Sequence, residues 1–360
     1  MMVDVGASPG HTNGNGSSQA AVTAKDVARL AGVHPSTVSR SLDPVQLSRI
    51  SSATRARVVA AAETLGYLPH FAASSLRRQR SMSIGVITPS YGNPIYGELL
   101  HGISVELEQQ GYVGLIVESP DESRALPTVL ARLRARQVDG IICASGRRAD
   151  ASALRELRTA GVPLVQVLRW VDEIGAPVVE CDDELGAALA ARHLQETGHQ
   201  MVLELPGPPD NINFRRRSQG FAATLAGSRR THLRKHDVVA EAPSTEEGKR
   251  MMRSLIDAGA LEGVSAVFAH NDLLAIGAID AIEEAGLHCP RDVSVIGYND
   301  NPLTDHLSPA LTTIRLPSAE MGRLAARRML QEISGDSDLP SEISLPPELV
   351  VRASTRARPS

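Results

Sequence analysis

From Ser83 onward, short apolar runs alternate with amphipathic segments: SIGVITP, VGLIVES, DGIICAS, VPLVQVL, PVVECDD, MVLELPG, SAVFAHND and VSVIGYND. Between most of them lie stretches of helical spacing such as GELLHGISVELEQQG, LGAALAARHLQETG and LLAIGAIDAIEEAG. The runs are continuously apolar and not alternating. That marks strands covered on both faces, which are parallel and need a helix to bring the chain back. Residues 83–360 are more than one comfortable sheet holds. The pattern therefore predicts an α/β chain with two doubly wound parallel-sheet subdomains and a cleft between them. We place the N-subdomain at about 83–181 and 312–338, and the C-subdomain at about 182–311 and 339–360.

Ahead of this body the texture differs. Residues 1–21 are rich in Gly, Ser and Asn without periodicity and read as a disordered tail. Residues 22–68 hold three short helical patterns, and the basic stretch 69–82 reads as a connector. In VTAKDVARLAGVHPSTVSRSL, Thr23 suits an N-cap, with Asp26 completing a T-x-x-D box. Val27, Leu30 and Ala31 supply apolar contacts, and Gly32 stands where a left-handed C-terminal residue is wanted. Pro35 suits the first turn of a second helix, because no N–H is needed there. Val38 and Leu42 then face inward, leaving Ser36, Thr37, Ser39 and Arg40 toward solvent. A third segment runs from Ser51 past Arg55 to Gly66. Two helices joined by a tight Gly-containing turn match the helix-turn-helix that sets its second helix in a DNA major groove. On the residues alone, a helical hairpin from any small bundle fits as well.

Charge favours the first reading. Residues 1–80 carry nine Lys and Arg against four acids, while the whole chain has a net charge of −4. A basic front on an acidic body suits an end that meets a polyanion. The three cysteines, Cys143, Cys181 and Cys289, are widely spaced and form no C-x-x-C, which suits a reducing cytosol and neither a disulfide framework nor a zinc site. No secretory apolar segment or membrane-length apolar run is present, so the expected location is the cytoplasm, around the nucleoid. Neither G-x-S-x-G, H-E-x-x-H, a P-loop nor a strand-borne G-x-G-x-x-G occurs. His232 and His236 are four apart but have no Cys in their segment. We expect no enzyme activity, no metal and no cofactor. The rival classes are a solute-binding protein and a nucleotide-dependent α/β enzyme.

The run from Thr23 to Leu42, followed by ISSATRARVVAAAETLGYLPHFAASSL, resembles the DNA-binding headpiece of the LacI–GalR family of bacterial transcriptional repressors. The D-V-A-x-x-A-G-V…T-V-S-R pattern carries the likeness, and so does the order headpiece, hinge and sugar-binding-protein-like body, from about Thr23 to Arg352. The resemblance implies a homodimer on a pseudo-palindromic operator in double-stranded DNA, controlled by a small-molecule effector held between two subdomains.

By the same resemblance, Pro35 and Ser36 open the helix that reads base edges, with Arg40 one turn on. Arg40 could pair bidentately with guanine. Thr37 and Ser39 hold phosphates or pack, and Thr23 and Arg55 join the DNA-facing set. His34 replaces the family's usual Ser at the cap, which loses a good cap and leaves a ring able to reach a phosphate. PHFAASSLRR resembles the hinge, with Ala73 and Leu76 matching and Leu76 as the minor-groove wedge. Arg77, Arg78 and Arg80 are phosphate neighbours or merely solvated. For the effector, the resemblance points to Arg217, alternatively an intersubdomain ion pair, and to Asp272, alternatively a helix cap. Strand ends add Tyr91, Asn93, Tyr96 and Asp300, and Trp170, which either stacks on a ring or fills core. This set suits a polyhydroxylated or nucleobase-like ligand.

Overall fold

The computed structural model describes residues 22–42, 50–67, 80–121, 125–172, 174–336 and 338–358. The tail 1–21 and the hinge residues Ala73 and Leu76, with Arg77 and Arg78, lie outside the described residues. The chain divides into two units, Met1–Gln79 and Arg80–Ser360.

The first unit has three helices, α1 (Ala24–Ala31), α2 (Pro35–Ser41) and α3 (Ser52–Leu65). Asp26 reaches back to the start of α1, accepting hydrogen bonds from the Thr23 N–H at 3.0 Å and its hydroxyl at 2.7 Å. Those bonds, the hydroxyl's first, hold the Asp26 carboxyl below the ordinary carboxylate range. Gly32 ends α1 at φ 64°, a left-handed backbone where a side chain would be strained. Val27, Ala28, Ala31, Val38, Val58, Ala61 and Ala62 form the core. Leu30, expected inside, is 54% exposed. The inward face of α1 is centred between Val27 and Ala28, which turns residue 30 roughly 100° away from it.

The second unit contains two six-stranded sheets. The first comprises β1 (Ser83–Thr88), β2 (Val113–Glu118), β3 (Gly140–Cys143), β4 (Leu164–Val167), β5 (Val178–Cys181) and β11 (Glu342–Leu345), in the order β11-β5-β4-β3-β1-β2. All its pairings are parallel. The second comprises β6 (Met201–Leu205), β7 (His232–Leu233), β8 (Ala266–Ala269), β9 (Ser294–Asn299), β10 (Thr312–Arg315) and β12 (Glu348–Val350), in the order β12-β10-β9-β8-β6-β7. It is parallel except for β12. The eight apolar runs are β1 to β6, β8 and β9, and each central strand is buried nearly throughout, as parallel strands under helices must be.

Helices α4 (Ile95–Gln109), α5 (Ala125–Ala135), α6 (Ala151–Thr159) and α11 (Ser318–Ser334) belong to the first lobe. Helices α7 (Asp183–Glu196), α8 (Ile212–Ala226), α9 (Thr245–Asp257) and α10 (Asp272–Glu284) belong to the second. The helices pack in pairs, α4 on α11, α7 on α8 and α9 on α10. In the last pair a Cβ on Gly248 would strike the Leu274 carbonyl and one on Gly277 the Thr245 carbonyl. Glycine therefore lets the two backbones touch and fixes their N-termini side by side.

The chain passes between lobes three times: after β5, between β10 and α11, and between β11 and β12. This corrects two boundaries. Thr312–Arg315, expected in the N-subdomain, pairs with β9 of the second sheet, and Glu342–Leu345, expected in the C-subdomain, pairs with β5 of the first. The connector also ends earlier than 82. Ser81 and Met82 donate their N–H groups to the Asp139 carboxylate at 2.7 and 2.9 Å, and Arg80 donates to the Ile333 carbonyl at 3.0 Å. Arg80 is thereby tied to the first lobe.

Candidate functional site

Two surfaces carry the expected chemistry: the outer face of α2 and the cleft between the lobes. On α2, His34, Ser36 and Arg40 are exposed and Pro35, Thr37 and Ser39 half-buried, while Val38 is fully buried. The helix is short, and its start is made by an unusual residue. The His34 ring accepts the Ser36 N–H at Nδ1, 3.2 Å away, and lies 2.8 Å from the Ser36 hydroxyl. Loss of a cap was the expectation here, and the imidazole supplies one instead. Arg40 folds back along the same face, donating from Nε to the Ser36 carbonyl at 3.1 Å and from NH2 to its hydroxyl at 3.3 Å. Thr23 and Arg55 are exposed at the starts of α1 and α3. The result is a small polar face of Ser36 and Arg40 on a helix anchored by Val38.

The cleft lies beyond the C-terminal ends of the strands in both sheets, where doubly wound folds hold ligands. Its main cavity has a volume of about 460 Å³. The first lobe lines it with Ser90, Asn93, Tyr96, Glu118, Asp121 and Arg169, and the second with Ala242–Glu246 and Leu273. A narrower cavity of about 30 Å³ continues inward. Asn93, Tyr96, Leu168, Arg169, Asn213, Arg217, Asn271 and Asn299 border it. Asn93 and Tyr96 thus line both cavities, because they follow β1 directly and open α4.

Arg217 is 3% exposed and held from four sides. Its Nε donates to Asp183 Oδ1 at 2.7 Å, its NH1 to the His270 carbonyl, and its guanidinium carbon stacks 3.6 Å from the Tyr298 ring centroid and 5.3 Å from that of Phe214. Arg217 borders the inner cavity, and its ion pair with Asp183 lies within its own lobe, so the pair between subdomains expected as its alternative role is not formed. Asp183 also accepts from Asn213 Nδ2 at 2.7 Å, and the same amide donates to the Leu168 carbonyl of the first lobe at 2.8 Å. The Asn213 carbonyl oxygen has no partner among the described residues. Further bridges between lobes are Arg216 to Glu180 at 3.0 Å and Arg147 to Asp210 at 3.8 Å.

Four expected ligand residues stand elsewhere. Asp272 is fully buried, accepting from the Thr313 hydroxyl at 2.6 Å and the Asn301 N–H at 2.7 Å, and borders neither cavity. Nor is it the cap of α10, a role Asn271 takes by accepting the Leu274 N–H at 2.7 Å. Burial lifts the Asp272 carboxyl to about 7 despite those hydrogen bonds. Asp300 spends its carboxylate on Arg315 and Arg352, each at 2.7 Å. Burial alone would raise its pKa, but these two guanidiniums outweigh burial and leave it below the ordinary value. Trp170 is buried, donates to Asp172 at 3.2 Å, lies under the Arg216 guanidinium of the second lobe and borders neither cavity, so it packs where the lobes meet. Tyr91 is 56% exposed and rests on the edge strand, its hydroxyl 3.3 Å from the Ile116 carbonyl.

Conversely, Arg169, Asn271 and Asn299, which the sequence places at the strand ends beside the selected residues, border the inner cavity, and so does Asn213, which nothing in the sequence singled out. Asn271 and Asn299 each precede a selected acid by one position, and which of two neighbours turns inward is decided by packing, not by residue type.

Three independent likenesses agree with this geometry. The family model described as bacterial regulatory proteins, lacI family, matches residues 23–70, and that of a periplasmic binding protein-like domain matches residues 191–355. The transcriptional regulator MalR of Streptomyces coelicolor is 35% identical over 93% of this chain and 96% of its own. The transcriptional repressor CytR of Escherichia coli is 32% identical over 95% of this chain and 98% of its own. Among solved structures, the Lac repressor dimer bound to operator and the anti-inducer ONPF superimposes with a TM-score of 0.82 at 29% identity, covering 94% of this chain and 100% of that one. A CelR–cellobiose complex gives 0.69 at 29% identity over 92% of this chain and 99% of that one. No helix among the described residues is long and apolar enough to cross a membrane. A capped helix-turn-helix followed by two parallel-sheet lobes enclosing a cleft, with these relatives along nearly its whole length, makes the chain a member of the lacI family of bacterial regulatory proteins, a DNA-binding transcriptional regulator.

Proposed function

We propose that the protein is a homodimeric repressor that grips a pseudo-palindromic operator and changes its affinity when a small polar metabolite occupies the cleft. The observation that carries this reading is the cleft itself. A cavity of about 460 Å³ lined from both lobes lies where three chain crossings join them, so an occupant touching both walls biases how the lobes stand. A coupling of about 1–3 kcal/mol between effector and operator is typical of such linkage. Arg217, Asn93 and Tyr96 remain as effector contacts, and the inward-facing Asn271, Asn299 and Asn213 replace Asp272 and Asp300. The relative CelR forms a complex with cellobiose. A hydroxyl-rich effector suits a cavity lined by amides and a tyrosine.

At the DNA, Ser36 and Arg40 are assigned to base edges, Pro35 to the mouth of the groove, and Thr37, Ser39, Thr23 and Arg55 to phosphates or packing. His34 sets the helix and does not hold a phosphate. Ala73 and Leu76 are assigned to the minor groove on the family resemblance. Binding that neutralises ~6–10 phosphates loses ~10³–10⁵ in affinity between low and moderate salt. A second copy fits the apolar edge of the first sheet, where Val113 and Ile116 are 55% and 43% exposed beside Tyr91. Such a regulator works with the chromosome in the cytoplasm and turns nothing over.

The test is a gel shift on operator DNA with metabolites added. Arg217→Ala is expected to keep the complex at metabolite concentrations that release the wild-type protein. An unchanged dose–response curve removes Arg217 from the site, and conversion of the metabolite during the assay overturns the regulator reading.

A further inference from the structure

We infer that Arg169 is the residue through which the first lobe reads the effector, and that the group it reads is uncharged. This rests on the cleft reading above and narrows the class of ligand that the cleft accepts.

Arg169 follows β4 and is 5% exposed, yet it borders both the main and the inner cavity. Its NH1 donates to both oxygens of Asp121, each at 2.9 Å. Its Nε and NH2 have no hydrogen-bond partner among the described residues. These donors are not among the fully buried unpaired atoms, so on a side chain otherwise buried they open onto the cavities and are served by whatever fills them. The fork of a guanidinium suits two adjacent acceptors, such as vicinal hydroxyls or a carbonyl beside a hydroxyl. Arg217, by contrast, already has two of its nitrogens and one face of its guanidinium committed to the second lobe.

The charge on that acceptor follows from what surrounds it. Arg169 and Arg217 are the two cations among the described residues lining the cavities, and each is matched by its own carboxylate, Asp121 and Asp183. The other titratable acids on the walls are Glu118 and Glu246, facing no cation in the cavity. Three helices open onto the main cavity with their first turn, α4 at Tyr96, α9 at Thr245 and Glu246, and α10 at Leu273, and each carries an acid in that turn, which offsets its partial positive charge. A phosphate or carboxylate entering here meets no uncompensated cation and two acids. A neutral hydroxylated or carbonyl group meets free donors. Asp121 is held for this by Arg147, whose NH1 donates to its main-chain carbonyl at 2.7 Å.

Matched probes decide it: ribose against ribose 5-phosphate, glucose against glucose 6-phosphate, and adenosine against its 5′-phosphate, read by thermal shift and titration calorimetry on the full chain. The expected result is binding by a free member of a pair and none by its phosphate ester. Arg169→Gln should weaken that free member about tenfold or more, the effect of losing charge-assisted hydrogen bonds. Asp121→Asn leaves Arg169 uncompensated and should narrow the gap between ester and free member about tenfold, a change that a merely structural role for the pair does not produce. Equal binding of ester and free member by the wild type overturns the inference. So does wild-type affinity in Arg169→Gln when Arg217→Ala has lost it. If both variants bind as the wild type does, the cleft reading itself fails.

Discussion

At the scale of single residues, Asp272 has the most informative surroundings. Its carboxylate occupies a cradle built from the Thr313 hydroxyl, the Asn301 N–H and the bare backbone of Gly297, whose hypothetical Cβ would collide with it. It pins the start of α10 to the turn after β9. The folded-state pKa of about 7 stands above the ordinary 3.8, so the folded chain holds this proton more tightly than the unfolded one. That contribution favours the fold at low pH and is lost as pH rises from about 4 to about 7. Asp272→Asn, uncharged throughout, is expected to show a melting temperature that declines less than the wild type's between about pH 5 and about pH 7. Parallel curves would clear Asp272 of this role. His199, held down to about 4 by burial, contributes the opposite slope below 6.5, and it cancels in the comparison. Nothing in A-H-N-D distinguishes Asn271 from Asp272 as the inward residue, because the cradle comes from strands and a turn some thirty to forty positions away.

Elements were legible to the degree that they were long and buried. All eight continuous apolar runs became strands, because a parallel strand under helices needs apolar side chains on both faces. The strands that gave no signal lie at or near the edges of the sheets: two-residue β7, three-residue β12, and β11, whose residues alternate between exposed and half-buried. TTIR of β10 is buried but rich in threonine, so it reads as polar. Helix α2 shows the other side of this. Seven residues are too few to be stable alone, so the cap matters, and here a ring nitrogen makes it. His34→Ala is expected to cost on the order of 1 kcal/mol locally. Exchange of the amides in α2 should quicken roughly fivefold, the factor matching that energy. His34→Ser should restore protection. Unchanged exchange in the alanine variant would show that Pro35 and the Val38 contact suffice.

For the whole molecule, the exposed apolar edge at Val113 and Ile116 is the feature that a single copy leaves unexplained. If a second copy covers it, Ile116→Lys should convert the protein from dimer to monomer in sedimentation and weaken operator binding. A variant that stays dimeric moves the interface elsewhere. The three crossings between lobes bear on a different matter, the order in which the ribosome delivers the chain. The three helices of the headpiece are finished by Leu65, but each sheet waits for a strand from the last stretch, Glu342–Leu345 for the first and Glu348–Val350 for the second. Neither lobe can close before nearly the whole chain has emerged. A message cut short between Leu65 and that point therefore encodes the three headpiece helices without a closed effector cleft.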